Sequence, residues 1–186
     1  RALLARAGAD IPRGPIPLAS PGPGARPLAA VLRAALIAGA GGKVLAMSVA
    51  YANDRVQFGK PIGKQQAIQQ QLAAMAEHSV AARLAAQIGL ASGLNPRPEA
   101  AAAAKLMASL AATEIANIAH AVHGAIGISE EFDLQLYTRR LRQWRLDEGA
   151  EGYWSERLGR ARLQSGVASS VDYVRTALSG AVQGPL

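Results

Sequence analysis

Apolar positions recur at helical spacing along most of the chain. From Leu28 to about Arg55 the sequence is continuously helix-compatible, and Val31, Leu32, Ala35, Leu45, Val49 and Val56 favour one side. The stretch FGKPIG (58–63) ends that helix, because Pro61 removes a backbone donor while Gly59 and Gly63 are too free to hold helical angles. A second helix is predicted from about Gln65 to Ser92, with Ile68, Leu72, Met75, Ser79, Ala82 and Ala86 three and four residues apart. GLNPRP (93–98) reads as a turn, and Glu99 to about Val122 as an Ala-rich helix. HGAIGIS (123–129) reads as a Gly-containing connection. Helical stretches follow near 130–143 and 150–164, with a short final helix within 167–182. No strand alternation appears after residue 28. Residues 1–27 read as a lead-in or linker, with six prolines and interspersed glycines between positions 11 and 27. The expected fold is all-α: an up-and-down four-helix bundle over 28–186 with extra short C-terminal helices.

Composition agrees with closely packed helices. Half of the 186 residues are apolar and Ala is abundant, whereas aromatics make up 4%, a balance that favours helices over a β-sandwich. The absence of cysteine excludes disulfides, thiolate metal sites and Cys nucleophiles. His78, His120 and His123 are scattered, which argues against zinc. No apolar run approaches the roughly 20 residues of a membrane span, and no basic-then-apolar leader is read, although the chain opens on Arg1. A soluble, cytoplasmic protein without a membrane span is expected.

A net charge of +7 raises the question of an anionic partner. No helix-turn-helix pattern, RNA-binding signature or Lys-rich tail is present, so nucleic acid is not expected. Arg139, Arg140, Arg142 and Arg145 form the one basic cluster, either a solvated helix face or an anion or subunit contact. Gly39-Ala40-Gly41-Gly42-Lys43 has the look of a phosphate loop, but it follows no strand and Lys43 precedes Val44 instead of Ser or Thr. Close helix packing at small residues explains it better. His120 and His123 share a helical face, yet have no acidic or third His partner in sequence reach.

Two longer segments carry more chemistry. YANDRVQFGKPIGKQQAIQQQLAAMA (51–76) resembles the signature of the acyl-CoA dehydrogenases: Tyr-Ala, an Arg, Phe-Gly-Lys-Pro-Ile, Gln-Ala-Ile and a Leu-Ala-Met-Ala-like stretch. HGAIGISEEFDLQLYTRRLRQWRLDEG (123–149) is similar to that family's second signature, and the steps from Gly124 to Arg139 and on to Glu148 fit without a gap. The resemblance runs from about residue 28 to 164. It implies the C-terminal four-helix bundle of a larger subunit, usually tetrameric, whose FAD lies between domains with its adenosine end reaching a neighbour. It implies removal of an α-proton from an acyl-CoA thioester with hydride transfer to FAD, the electrons leaving to an electron-transfer flavoprotein or a similar acceptor. Oligomers, homomeric or heteromeric, are therefore expected.

Carried over residue by residue, the family's flavin contacts fall on Arg55, Phe58 and Gln66 and on the turn at Gly124 and Ala125, and its catalytic base falls on Glu148. A guanidinium can fork onto pyrophosphate oxygens and an aromatic can pack on adenine. Read alone, Arg55 and Phe58 cap and plug a helix end, and Glu148 is an acid at a helix start, favoured by the dipole. Asp147 is the rival base. Departures from the family pattern are Ala121 for a Gln, Ala125 for the second Gly, Arg140 for an Asp and Ala150 for a Thr. A substrate-contacting Arg of the first bundle helix falls on Ala30, with Arg26 and Arg33 as alternatives. Residues 1–27 have no room for two further domains. A portion of a longer polypeptide, a short subunit completed by a partner, and a non-catalytic structural or assembly subunit are the three expectations.

Overall fold

The computed structural model describes residues 25–178; the lead-in before Ala25 and the end of the predicted last helix lie outside them. Helix α1 spans Ala25–Asp54. It buries Pro27, Ala30, Val31, Ala34, Ile37, Gly41, Val44, Ser48 and Ala52, a stripe at three- and four-residue spacing. The face agrees with the expected one in part: Val31 is buried and Ala35 and Leu45 pack against the core, whereas Leu32, Val49 and Val56 are 47%, 41% and 57% exposed. Small residues share the buried stripe with Val31, Ile37 and Val44, because they let neighbouring backbones approach. A Cβ on Gly41 would stand 2.9 Å from Ile115 Cδ1, so this glycine is a packing residue, as the close-packing reading requires; Gly39 and Gly42 have open space instead.

The helix is also more apolar than the sequence reading allowed. By length and composition α1 could cross a membrane, with a mean hydropathy of 1.6 over its most apolar window. Counting only uninterrupted apolar runs missed it. Its buried stripe nonetheless packs on three other helices, as a core helix does.

After Asp54 comes an element the sequence did not announce: a hairpin of β1 (Val56–Gln57) and β2 (Lys60–Pro61), pairing Val56 with Pro61 and Gln57 with Lys60. Two-residue strands are too short for any alternation to register. A 3-10 turn, Ile62–Lys64, leads into α2 (Gln66–Leu90). Helix α3 (Pro98–His123) opens with Pro at its first position, where the missing N–H is no loss. A second 3-10 turn, Gly124–Ile128, precedes α4 (Leu134–Leu146), α5 (Glu151–Gln164) and α6 (Ser170–Ala177).

Helices α1, α2 and α3 pack pairwise, and α4 closes the bundle against α1 and α3, with α5 continuing along α3. Alanines fill the core between them, including Ala82 and Ala86 of α2 and Ala101, Ala104, Ala108 and Ala112 of α3. Gly89 marks the tightest crossing, where an added Cβ would lie 2.8 Å from Ala104 Cβ. Trp154 of α5 fills a second cluster with Ala30 and Ala102. Ala30, one of the positions weighed for substrate contact, is therefore a core residue.

Candidate cofactor cleft and candidate catalytic turn

Sequence-predicted site residues gather at two places. The first is a cleft of about 450 Å³ beside the hairpin, lined by Tyr51, Arg55, Gln65, His123, Gly124 and Ala125 among others. Arg55 is held by its backbone on both sides: its N–H donates to Tyr51 O at 2.9 Å, and its carbonyl accepts from Ile62 N at 2.8 Å. Gly124 caps α3 with a φ of 62° and has open space where a Cβ would stand. The floor is aromatic: His123 stacks on Tyr51 at 4.5 Å between ring centroids and tilts against Phe132. His123 Nδ1–H donates to Ala119 O at 2.8 Å. Burial pushes its pKa down, partly offset by that carbonyl, so the neutral ring is favoured.

Phe58 sits at the tip of the hairpin and is 90% exposed. Its φ is 52° and that of Gly59 is 77°, the positive pair that a type I′ turn requires. Gly meets this freely, whereas Phe is strained there. Gln66 begins α2 and is exposed, and its neighbour Gln65 is the one that lines the cleft.

The second place is the turn between α4 and α5. Asp147 ends α4, Glu148 takes a φ of 61° and Gly149 one of 114°. A Cβ on Gly149 would lie 2.7 Å from Tyr153 Cδ1, so only glycine fits. Asp147 pairs with Arg33 at 3.3 Å, and Glu151 pairs with Arg145. Glu148 is half-buried and makes no ion pair or side-chain hydrogen bond among the described residues. Arg26 donates to Tyr153 Oη at 3.0 Å, so both arginines weighed as replacements at position 30 hold residues at or just after this turn.

The Arg cluster resolves into separate contacts. Arg139 reaches Gln135, Arg140 lies over the Trp144 ring, Arg142 reaches Asn117 and Arg145 holds Glu151. His120 and His123 are likewise engaged apart, His120 Nε2 being 3.0 Å from Thr138 Oγ1.

Residues 28–163 match the family described as acyl-CoA dehydrogenase, C-terminal domain. The chain belongs to the acyl-CoA dehydrogenase family. It is 39% identical over 112 residues to acyl-CoA dehydrogenase IpdE2 of Mycolicibacterium smegmatis, covering 60% of this chain and 35% of that protein. Its fold matches the ChsE4-ChsE5 complex from Mycobacterium tuberculosis with a TM-score of 0.71 at 26% identity, over 77% of this chain and 39% of that one. Butyryl-CoA dehydrogenase from Megasphaera elsdenii matches with a TM-score of 0.68 at 32% identity, over 72% and 36% of the two chains. This acyl-CoA dehydrogenase domain spans about a third of the length of the curated relatives it matches.

The sequence reading of this acyl-CoA dehydrogenase domain missed Lys105 altogether. Its side chain is wholly buried and reaches the Glu148 turn from α3. A signal was present: Lys105 lies four residues after Ala101 and three before Ala108, in register with the Ala core stripe. A lone cation at a core position is a rare arrangement.

Proposed function

We propose that this chain supplies the C-terminal domain of a flavin-dependent acyl-CoA dehydrogenase in which Glu148 accepts the α-proton of an acyl-CoA thioester. One observation carries the reading. Among the described residues the non-glycine positions with positive φ are Phe58 and Glu148, two positions that family resemblance had singled out. Each such residue costs about 1–3 kcal/mol and persists where the surroundings demand it, characteristically at functional sites. Asp147, the rival base, is engaged by Arg33, which leaves Glu148 as the carboxylate without a partner at that turn.

The cleft residues fit a flavin dinucleotide. Arg55 and the first-turn amides of α2 favour an anionic group, and the uncovered backbone at Gly124 lets a phosphate approach closely. Phe58 offers an unpacked aromatic face to an adenine. When bound, FAD would supply the hydride acceptor. Glu148 then has one task, to take the α-proton, and among the described residues no ion pair or side-chain hydrogen bond occupies its carboxylate.

Separation of the two places supports an oligomer. Arg33, at the Glu148 turn, and Asp54, before Arg55, are 21 residues apart on α1, about 32 Å along its axis. One dinucleotide cannot span that distance, so the two clusters of one chain serve different flavins. Electrons would leave to an electron-transfer flavoprotein or a similar acceptor.

The test is Glu148→Gln in the complete polypeptide or assembled complex. The amide keeps the shape but cannot accept the proton, so flavin bleaching by acyl-CoA should fall about 10²–10⁴-fold with flavin retained. Asp147→Asn should leave bleaching intact. Reversal of the two results would move the base by one residue. A wild type that binds flavin and acyl-CoA yet never bleaches would make the chain a non-catalytic assembly subunit.

A further inference from the structure

Lys105 is the one buried lysine, arginine, aspartate or glutamate among the described residues. Enclosing an ammonium normally costs several kcal/mol, and an apolar side chain of similar size is often the more stable choice. Here all three ammonium protons are used. Lys105 Nζ donates to Ser109 Oγ at 2.8 Å, to Arg145 O at 2.8 Å and to Gly149 O at 3.0 Å. The first acceptor lies one turn along α3. The other two bracket Glu148: one is a carbonyl of the last turn of α4, the other belongs to the residue directly after the glutamate. Ser109 Oγ–H reinforces the first bracket, 3.3 Å from Arg145 O. The segment between these anchors is the one in which Glu148 and Gly149 hold positive φ. A left-handed glutamate needs an external restraint, and the ammonium supplies it from the rigid middle of the bundle. Glu151, Asp147 and Glu148 surround the ammonium with negative charge and favour its charged form against burial, and Arg145 opposes it.

We propose that Lys105 is a positioning residue that holds the α4–α5 turn in the conformation presenting the Glu148 carboxylate to substrate. The proposal rests on Glu148 being the base.

Lys105→Met keeps the stem and removes the donors. In the flavin-loaded complete protein, kcat for flavin reduction should fall about 10- to 100-fold per bound flavin, the scale of an ångström of misplacement. KM for acyl-CoA and flavin content should stay as in the wild type, and amide hydrogen exchange at 146–150 should accelerate. Wild-type kcat per bound flavin, or unchanged exchange in that turn, overturns the proposal. If Lys105→Met does not fold, Ser109→Ala serves: it removes one acceptor and should give the same signs with smaller size, and wild-type kcat and exchange there overturn the proposal as well. Glu148→Gln run in parallel keeps the two ideas apart. Full bleaching by that variant overturns the base assignment and this proposal with it. Lost bleaching there beside wild-type behaviour in the Lys105 and Ser109 variants overturns this proposal alone.

Discussion

Glu148 is held in a conformation that glycine would adopt freely, and the consequence can be measured as stability. Substituting a half-buried residue ordinarily destabilises by about 1 kcal/mol. Glu148→Gly should do the reverse or nothing: relief of the left-handed backbone offsets glycine's greater unfolded-state entropy, leaving a gain of about 0–1 kcal/mol. The same variant should lose flavin bleaching entirely. Urea unfolding with an unchanged m-value is the measurement, and a loss above about 1 kcal/mol would mean that the carboxylate itself supports the fold. Phe58 poses the same trade at the hairpin tip, where a large aromatic occupies a position that suits Asn or Gly and stays exposed. At both positions local preference and the adopted conformation disagree, as functional sites often do.

At the scale of the elements, the buried ammonium makes α3 sensitive to pH. Burial lowers the pKa of Lys105 from 10.5 to about 8, against the pull of Glu151, Asp147 and Glu148 and with the push of Arg145. Below pH 8 the lysine is charged in both the folded and the unfolded chain, and the fold bears the full penalty. Between about pH 8 and 10.5 the unfolded chain binds the extra proton, so stability rises with pH. Denaturation of the wild type should gain about 2–3 kcal/mol from pH 7 to 10 relative to Lys105→Met measured alongside. Parallel curves for the two proteins would mean that the ammonium is not desolvated. Helix number and order were legible in the sequence, because Pro98 and the glycine and proline of 58–63 punctuate long periodic stretches. Which face of α1 turned inward was legible only in part. Hydropathy favours Leu32 and Val49, whereas close approach favours Ala34, Gly41 and Ser48, and steric fit won. The hairpin escaped because two residues cannot show a period. Arg55 and Glu148 were singled out only through family spacing, since a site role depends on tertiary neighbours that periodicity does not register. Lys105 could have been found, since a single cation interrupts an otherwise apolar register.

For the whole molecule, the proposed cofactor cleft and the proposed catalytic turn lie about 32 Å apart along α1. If both serve a flavin as proposed, that separation puts the Arg55 and the Glu148 of one chain at different flavins. In an assembled protein each flavin should draw its Arg55 from one copy and its Glu148 from another. Subunit mixing tests this. Arg55→Ala removes a charge-assisted contact worth about 1.5–3 kcal/mol and should reduce flavin retention roughly ten- to a hundredfold. Glu148→Gln should retain flavin and fail to bleach. Neither variant bleaches well alone. Unfolded together and refolded as complete chains, they should form mixed oligomers in which some sites combine an intact Arg55 with an intact Glu148. Random pairing across a two-fold assembly makes about a quarter of the sites whole. Restored bleaching near that level, absent when the variants are mixed without refolding, is the expected result. No restoration despite mixed oligomers on native mass spectrometry would place both residues at a flavin held within one chain, and the 32 Å separation along α1 would then have to be bridged by domain movement.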